Sequence, residues 1–482
     1  MSFRNWKQEL EDQRPPRPSP WPFIWRLGAG LAFVGGLVCL ALWVWPGYLL
    51  PKPWQRPGPP PASLAIVFSS DLRGYLEPCG CTQQRWGGVA RLMGSVKGMD
   101  DKARLLVDVG DMTAGAQHWQ QVNLEHYLSA LGQMKCAAAN LGANEIAMSA
   151  DAIRQVRSQS PVPLVSANVC DAATGQLLAE PCRHVMIENL RVTVVGVVVP
   201  IPNHALGPGV SVADVDESLG RLLPGLRPDA DLIVLLAAAE EAQMKRLAQA
   251  HPEVDVILGG RVMQASKQVE MIGSCRMAAM ADKGQMLGRM DVDITAEGQP
   301  AAATCRMIVL DNDVPEDASM LDLVRRYNEE LARLDRTGGL AALGVPSFDP
   351  PAGTNRYVGS DACQSCHKSE YEIWKRSAHS RAYASLVRRQ RDSNPDCVHC
   401  HVVDLGAGDA FLGVASTPKM VDVQCESCHG RAAEHVRAHT AKEACPKLPQ
   451  VLPKSCQTCH DCIHSPQFSY DPYWEKIKHA KE

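Results

Sequence analysis

The pattern of hydrophobic and polar positions separates an apolar N-terminal segment, a long middle segment and a C-terminal segment rich in cysteine and histidine. In the middle segment, β-branched and aliphatic runs alternate with helical patterns. These runs cover residues 64–70, 105–111, 163–169, 192–200, 232–238 and 254–260. Buried strands that alternate with helices predict a layered α/β domain. Two closely spaced runs, at 284–294 and 305–310, predict antiparallel strands at its end.

The N-terminal segment has the features of a membrane anchor. Residues 27–45 form an uncharged run of 19 residues, enough to cross a bilayer core of about 30 Å as a helix. Amphipathic rings, which prefer the headgroup region, lie at its two ends: Trp21, Trp25, Trp43 and Trp45. No small-x-small cleavage pattern follows, which favours an uncleaved transmembrane helix within residues 21–50 over a cleaved signal. The expected protein is a single-pass protein of the cytoplasmic membrane, with its bulk in the periplasm or outside the cell.

The remaining boundaries follow from composition. Residues 1–20 are charged and predict a cytoplasmic tail, whereas the proline-rich residues 51–63 predict an extended linker. The α/β domain is expected at 64–312 and a connecting helix and hinge at 313–353. Within that connection, residues 317–336 have apolar side chains near helical spacing, and the Gly/Pro-rich residues 338–351 predict the hinge. The C-terminal domain then occupies residues 354–482.

Composition agrees with an exported protein of several domains. The chain has 482 residues, more than the usual 100–200 or so of a single domain. Its formal net charge of −4 implies no nucleic-acid partner. Eighteen cysteines are unusual for a reducing compartment.

The C-terminal domain contains the pentapeptide Cys-x-x-Cys-His four times. Two thiols at this spacing can add to the two vinyl groups of a haem, and the histidine reaches the iron from the same turn. The cysteines are Cys363 and Cys366, Cys397 and Cys400, Cys425 and Cys428, and Cys456 and Cys459; the histidines are His367, His401, His429 and His460. Four such motifs predict a mostly helical domain with four covalently bound c-type haems. A pair of four-cysteine zinc sites, the alternative, would not need a histidine after every second cysteine.

Each iron also needs a second axial ligand unless that position stays open. The domain has one methionine, Met420, and several histidines besides the four proximal ones. These are His379, His399, His435, His439, His464 and His479. Six histidines for four distal positions favour bis-histidine ligation, which keeps reduction potentials low.

Four phrases in this domain resemble the family of the tetrahaem cytochrome c that accepts electrons from hydroxylamine oxidation. They are YVGSDACQSCHKSEYEIWKRSAH, CVHCHVV, TPKMVDVQCESCHG and SPQFSYDPYWEKIKH. The resemblance implies that the best distal candidates are His379, His435 and His479. His439 and His464 compete for the remaining iron, and His399 is expected to bind none. Cys445 and Cys462 flank the last motif and are expected to form a disulfide.

Six phrases follow one another along the middle domain: SSDLRGYLEPC, GGVARL, LLVDVGD, LGANEI, PLVSAN and VILGGR. In these phrases and their order the domain resembles the calcineurin-like metallophosphoesterases, in particular their periplasmic 5′-nucleotidase branch. The resemblance implies that Asp71 and Asp111 occupy former metal-ligand positions. Arg73 replaces a histidine ligand, and Arg261 follows a strand whose motif has lost both of its histidines. Two carboxylates cannot hold a dinuclear centre alone, and the arginines would repel cations. The expectation is a pseudoenzyme, a scaffold that has kept the fold and lost phosphoesterase activity.

The cysteines of the middle domain have two interpretations. Cys79 and Cys81 follow Asp71 closely and could form a thiol or soft-metal site with Cys136, but structural disulfides are the alternative in an oxidising compartment. Two further pairs could form disulfides in the same way: Cys170 with Cys182, and Cys275 with Cys305.

Two functions remain open at this stage. The first is electron transfer by a membrane-anchored cytochrome, from a membrane or protein donor to a protein acceptor. In this function the protein takes part in a larger respiratory complex, and its α/β domain serves for docking. The second is a reductase in which one five-coordinate haem acts on a small nitrogen or sulfur compound.

Overall fold

The computed structural model describes residues 56–78, 85–281, 283–351, 353–461, 465 and 467–479. Residues 1–55 lie outside this range, and they include the predicted tail, the predicted anchor and the first five residues of the linker. Cys79, Cys81, Cys462 and His464 also lie outside it. Of the helices in the described part of the chain, none is long and apolar enough to cross a membrane.

Most strands belong to the α/β region. In chain order they are β1 Ser63–Ser69, β2 Arg104–Asp108, β3 Ala138–Asn140, β4 Leu164–Val165, β5 Val169–Asp171, β6 Cys182–Ile187, β7 Leu190–Val198, β8 Val210–Val212, β9 Leu232–Ala238, β10 Val256–Gly259, β11 Glu270–Ile272, β12 Cys275–Ala279, β13 Met286–Ile294 and β14 Pro300–Val309. They form one sheet in the order β14-β13-β1-β2-β3-β4 and a second in the order β11-β12-β10-β9-β7-β6. The short strands β5 and β8 pair separately. The antiparallel pairing of β13 with β14, predicted from their close spacing, is confirmed.

Longer helices accompany the sheets and short helices make up the C-terminal region. In chain order they are α1 Val89–Lys97, α2 His118–Gln133, α3 Ala150–Gln159, α4 Val215–Leu226, α5 Glu241–Ala250, α6 Ala318–Leu343, α7 Asp361–Gln364, α8 Lys368–Arg376, α9 Ala382–Val387, α10 Pro395–Val398, α11 Cys425–His429, α12 Ala433–Thr440, α13 Pro453–Cys456 and α14 Tyr470–Trp474. Single 3-10 turns lie at Glu145–Ala147, Arg227–Asp229, His379–Arg381 and Pro418–Met420.

The two large sheets pack face to face, with helices on their outer faces. Side chains alternate along each strand. In β1, therefore, Leu64, Ile66 and Phe68 enter the core between the sheets, while Val67 packs in the core that contains α1, α2 and α6. Helices α4 and α5 cover the second sheet. This arrangement confirms the predicted layered α/β sandwich.

Helix α6 connects the α/β region to the C-terminal region and docks on the former. The Asp317 carboxylate begins it by accepting hydrogen bonds from the N–H groups of Ser319 (3.0 Å) and Met320 (3.3 Å). The helical segment extends to Leu343 with a kink at Gly339, whose φ of 60° and ψ of −154° are not helical, and this kink lies within the hinge predicted from residue 338. Beyond the kink, Leu340 and Leu343 pack in the same core as the rest of the helix.

Both predicted disulfides of the α/β region that can be checked were wrong. Cys170 and Cys182 are free thiols on β5 and β6, which belong to different sheets. Cys275 and Cys305 are also free, because β12 and β14 lie in opposite layers of the sandwich. Cys136 is buried, and its Sγ lies 3.3 Å from the carbonyl oxygen of Ala138.

Side-chain packing is sparse in the C-terminal region. One small cluster of buried residues contains Tyr383, Leu386, Val398, Val402 and Phe411. Regions with so little apolar packing are usually stabilised by cofactors or cross-links.

Candidate haem ligands and the cleft of the α/β region

Each Cys-x-x-Cys-His motif begins on a short helix. The first cysteines, Cys363, Cys397, Cys425 and Cys456, lie in α7, α10, α11 and α13. Helical positions i, i+3 and i+4 share one face. The two thiols and the histidine of each motif are therefore placed on one side of the turn, as covalent haem attachment requires.

Three of the four proximal histidines face a second imidazole from elsewhere in the chain. The ring centroids of His367 and His435 are 6.2 Å apart, at an interplanar angle of 27°. Those of His460 and His379 are 6.2 Å apart at 45°, and those of His429 and His479 are 5.9 Å apart at 48°. The three best distal candidates therefore each lie beside a different proximal histidine.

These separations fit an iron between the rings. A metal bound to one nitrogen of each imidazole at about 2 Å places the two ring centroids roughly 6 Å apart. The rings also have hydrogen bonds that orient them. His435 Nδ1 donates to the carbonyl oxygen of Pro446 (2.9 Å), and His479 Nδ1 donates to that of Ile477 (3.2 Å). Such contacts fix the tautomer and leave Nε2 for the metal.

Burial keeps several of these imidazoles in the form that binds metal. Loss of hydration lowers the pKa of His379, His401 and His460. Burial also lowers the pKa of His429, against a smaller opposing effect of its hydrogen bond with the Pro449 backbone. The neutral imidazole is the ligand form.

The second motif differs from the others. His401 Nδ1 donates to the carbonyl oxygen of Ala382 (2.7 Å), yet no imidazole of the described residues packs against its ring. His439 is exposed on α12, and His399 Nε2 lies 3.1 Å from the sulfur of Cys400. His464, the other candidate, lies outside the described residues, so the fourth distal ligand stays a prediction.

Contacts between the motifs define an order. The nearby Cys425 thiol lowers the pKa of Cys363, and Cys459 Sγ lies 4.0 Å from the carbonyl oxygen of Cys400. Burial and then the nearby Cys456 and Cys459 thiols raise the pKa of the Cys428 thiol to about 11. The motifs are therefore neighbours in the order first, third, fourth, second.

The α/β region has a cleft where its strands end. Asp71 follows β1, Asp111 follows β2, and Arg261 follows β10. These three residues and Arg73 all have φ between 50° and 55°. Positive φ is uncommon in residues with a side chain and clusters at present or former functional sites.

The carboxylates of this cleft are bound by donors of the protein itself. Asp71 Oδ1 accepts from Arg73 Nη2 (3.1 Å), and its Oδ2 accepts from the Ser70 hydroxyl (2.8 Å) and the Arg261 N–H (2.9 Å). Asp111 Oδ1 accepts from the Asn144 N–H (2.8 Å).

Arg261 places a fixed positive charge in the cleft. Its Nη1 donates to the carbonyl oxygens of Val199 (2.6 Å) and Ala238 (2.9 Å), where β7 and β9 end. Across the described ranges, no group of three or more His, Cys, Asp or Glu side chains is arranged to hold a metal ion. Asp71 and Asp111 thus contact arginines and backbone groups, and the loss of hydrolytic activity stays a prediction.

Sequence reasoning missed two polar residues that hold the cleft together. The Glu145 carboxylate accepts from the N–H groups of Asp111 (2.9 Å), Thr113 (2.8 Å) and Gly142 (2.8 Å). Asn140 Nδ2 donates to carbonyls in or beside strands of both sheets, those of Val109 (3.0 Å) and Val197 (2.9 Å) among them. The phrase LGANEI contained Glu145, but its role depends on backbone groups that no motif displays.

The fold and the histidine pairs together describe a two-part protein. An α/β sandwich of the calcineurin-like metallophosphoesterase kind precedes a region that resembles multihaem c-type cytochromes. Residues 362–430 match the family model described as cytochrome c554 and c-prime.

A curated relative of the C-terminal region is cytochrome c-554 of Nitrosomonas europaea. It is 33% identical over 89 residues, which cover 15% of this chain and 38% of the relative. For the α/β region, a solved 5′-nucleotidase precursor from Thermus thermophilus superposes with a TM-score of 0.50 at 22% identity, over 56% of this chain and 59% of that one. A calcineurin-like phosphoesterase, YfkN from Bacillus subtilis, gives a TM-score of 0.49 at 19% identity, over 58% of this chain and 100% of that one. The chain thus spans well under two thirds of the cytochrome and of the nucleotidase, and the likeness to the nucleotidase shows the fold alone.

Proposed function

We propose that this protein is an extracytoplasmic c-type cytochrome with four covalent haems that carries electrons between a membrane or protein donor and a protein acceptor. The observation that carries the proposal is the set of three imidazole pairs. Each pair joins a Cys-x-x-Cys-His motif to a histidine distant in sequence, at a separation that fits one iron. A pair of structural zinc sites gives no reason for this pairing.

The residues of the chain have defined roles in this function. The eight motif cysteines would attach the porphyrins, and three pairs of histidines would each bind one iron: His367 with His435, His429 with His479, and His460 with His379. When bound, the haems supply iron centres that accept and release single electrons at low potential. The order of neighbouring motifs, first, third, fourth and second, supports a continuous route through the region.

The α/β region is proposed to be a docking domain without catalytic activity. Its cleft carboxylates are paired with Arg73 and backbone donors, and Arg261 occupies the edge where the strands end. Residues 21–50 are proposed to anchor the protein in the cytoplasmic membrane. An anchored protein stays in the membrane fraction after a high-salt wash, whereas a cleaved one appears in the soluble fraction.

The second candidate function is reduction of a small nitrogen or sulfur compound. The specific observation in its favour is that His401 faces no imidazole of the described residues. An iron held by His401 alone would keep a coordination position for a substrate.

Magnetic spectra of the oxidised holoprotein, with carbon monoxide added after reduction, test the proposal. Electron transfer predicts low-spin, six-coordinate irons and no carbon monoxide adduct. A single adduct, at one haem in four, would favour the reductase. Predominantly high-spin irons would contradict the histidine pairs and with them the proposed function.

A further inference from the structure

One acidic residue of the α/β region contacts the segment that leads into the second haem motif. Glu77 follows Asp71 of the cleft by six residues, in the connection between β1 and α1. Its Oε2 is 2.5 Å from Arg391 Nη2, and its Oε1 accepts a hydrogen bond from Asn328 Nδ2 on α6 (3.1 Å). Glu77 therefore joins the cleft loop, the connecting helix and the haem-binding segment.

Two successive backbone hydrogen bonds connect Arg391 to Cys397, the first cysteine of the second motif. The carbonyl oxygen of Arg391 accepts from the Asn394 N–H (3.1 Å), and that of Asn394 accepts from the Cys397 N–H (2.9 Å). In the same turn, the Ser393 hydroxyl donates to Asp335 of α6 (2.9 Å). A displacement of Arg391 is therefore transmitted to the first haem-attaching cysteine of this motif.

The segment after the motif is fixed to the end of the connection as well. The Phe348 N–H donates to the carbonyl oxygen of Gly406 (3.0 Å), and the Gly408 N–H donates to that of Phe348 (2.8 Å). Leu405 and Leu412 pack against the core that contains α6. The second motif thus lies between two attachments to the rest of the molecule.

The Glu77–Arg391 ion pair, in which both side chains are 22% exposed, lies against a buried part of α6. Tyr327 is 2% exposed and Asn328 is 7% exposed. The Tyr327 hydroxyl, Asn328 Oδ1 and Arg391 Nε are buried there, and each lacks a hydrogen-bond partner among the described residues. Burial raises the pKa of Tyr327 against the opposing effect of Asn123, and Asp396, Cys397 and Glu77 add smaller increases, so these groups lie within electrostatic range of one hydroxyl. Charges act over longer distances in such an environment than they do in water.

We propose that the Glu77–Arg391 ion pair sets the reduction potential of the haem attached at Cys397 and Cys400, an inference that rests on the proposed function. Glu77 and Arg391 are positioning residues. They act on the haem through the segment that carries the motif and through their charges. Reduction adds one electron to the iron. A nearby carboxylate disfavours the added electron and lowers the reduction potential, whereas a nearby guanidinium favours it and raises the potential. With both charges present, the potential lies between the values expected with either charge alone.

Removing one member of the pair at a time tests this proposal on the full-chain holoprotein. Glu77→Gln leaves Arg391 uncompensated, so one haem in four should titrate at a higher potential in spectroelectrochemistry. Arg391→Gln leaves Glu77 uncompensated and should lower the potential of the same haem. Glu77→Asp keeps the charge and should move the potential back towards that of the wild type. Glu241→Gln, which removes the 2.8 Å pair with Lys245 on α5, is the matched control and should change no potential.

Changes of opposite sign in the reduction potentials of Glu77→Gln and Arg391→Gln cannot come from loosened packing alone. Shifts of the same sign, equal shifts in all haems, or no shift would overturn the proposal. Circular dichroism and haem stoichiometry establish that each variant is folded and loaded. If the wild-type protein carries no covalent haem, the proposed function fails; if it is loaded and the variants leave the potentials unchanged, this inference alone fails.

Discussion

At the scale of single residues, the haem-binding region depends on histidines that are far apart in the chain. His379 follows the first motif in sequence, yet its ring lies beside His460 of the fourth motif. His479 lies near the C-terminus and pairs with His429 of the third motif. The resemblance identified these histidines as candidates, but only the tertiary fold assigns each to its partner.

A substitution on α12 tests one of these pairs against a histidine that is not expected to bind iron. His435→Ala removes the imidazole opposite His367, so one haem in four should become high-spin and bind carbon monoxide after reduction. His399→Ala changes a histidine that is expected to bind no iron and should leave the spectrum unchanged. An unchanged spectrum in His435→Ala, with all haems attached, would contradict the assignment.

Buried carboxyls of the α/β region give its stability a pH dependence. Asp108 is fully buried and accepts hydrogen bonds from the hydroxyls of Ser69 (2.5 Å) and Tyr127 (2.8 Å). Burial, only partly offset by these hydrogen bonds, raises its pKa from 3.8 to about 7. Burial, with the nearby Asp111 charge, likewise raises the pKa of Glu145 from 4.5 to about 8. The native protein therefore holds protons that the unfolded chain has already released.

The free energy of unfolding should consequently fall as pH rises from about 4 to about 7. Because the native state binds more protons in this window, the slope is negative, at most about 1.4 kcal/mol per pH unit for each such carboxyl. Urea unfolding at pH 5 and pH 7.5, followed by far-ultraviolet circular dichroism, measures it. Asp108→Asn stays neutral throughout and should show a shallower slope. Greater stability at pH 7.5 than at pH 5 would contradict the prediction.

At the scale of elements, periodicity predicted the long strands and the connecting helix, and missed what depends on long-range packing. The runs at 64–70 and 232–238 correspond closely to β1 and β9. Strands β3, β6, β8, β11 and β12 were not predicted; β3 is a three-residue strand of Ala-Ala-Asn, which carries no strand signal of its own. Helix α6 is kinked at Gly339, where φ is 60°, a conformation that glycine adopts readily, and the buried residues Leu340 and Leu343 keep the segment after the kink packed in the same core.

Packing of α6 should contribute strongly to stability. Leu331 is 0% exposed in the core shared with α2, so Leu331→Ala should lower the free energy of unfolding by about 2–5 kcal/mol. Leu321 on the same helix is 46% exposed, and Leu321→Ala should change it by about 0.5 kcal/mol or less. Chemical denaturation of both variants measures the difference. Equal effects would show that α6 does not pack as described.

The cleft of the α/β region should not hydrolyse phosphoesters. Its carboxylates already accept hydrogen bonds from Arg73, Ser70 and backbone groups, and two guanidiniums disfavour the binding of cations. We expect no turnover of nucleotide or generic phosphoester substrates by the purified protein, with or without added manganese or zinc. Metal-dependent turnover that Asp111→Ala abolishes would contradict this expectation.

At the scale of the whole molecule, the α/β sandwich and the region that contains the Cys-x-x-Cys-His motifs share one compact unit, Gly58–Glu482. The resemblances predicted both parts from sequence phrases. The contact between the two parts was not predictable, because neither Glu77 nor Arg391 belongs to a motif. Only the tertiary fold brings their side chains within 2.5 Å of each other. This junction is where the α/β region can influence electron transfer.

The central claim is that all four Cys-x-x-Cys-His motifs carry a covalent haem. The mass of the intact protein, produced in a host that attaches c-type haem, tests it most directly. The account predicts the polypeptide mass plus four haems, and plus three haems when Cys456 and Cys459 are both replaced by serine. A mass with no covalent haem, or with zinc in place of haem, would contradict it.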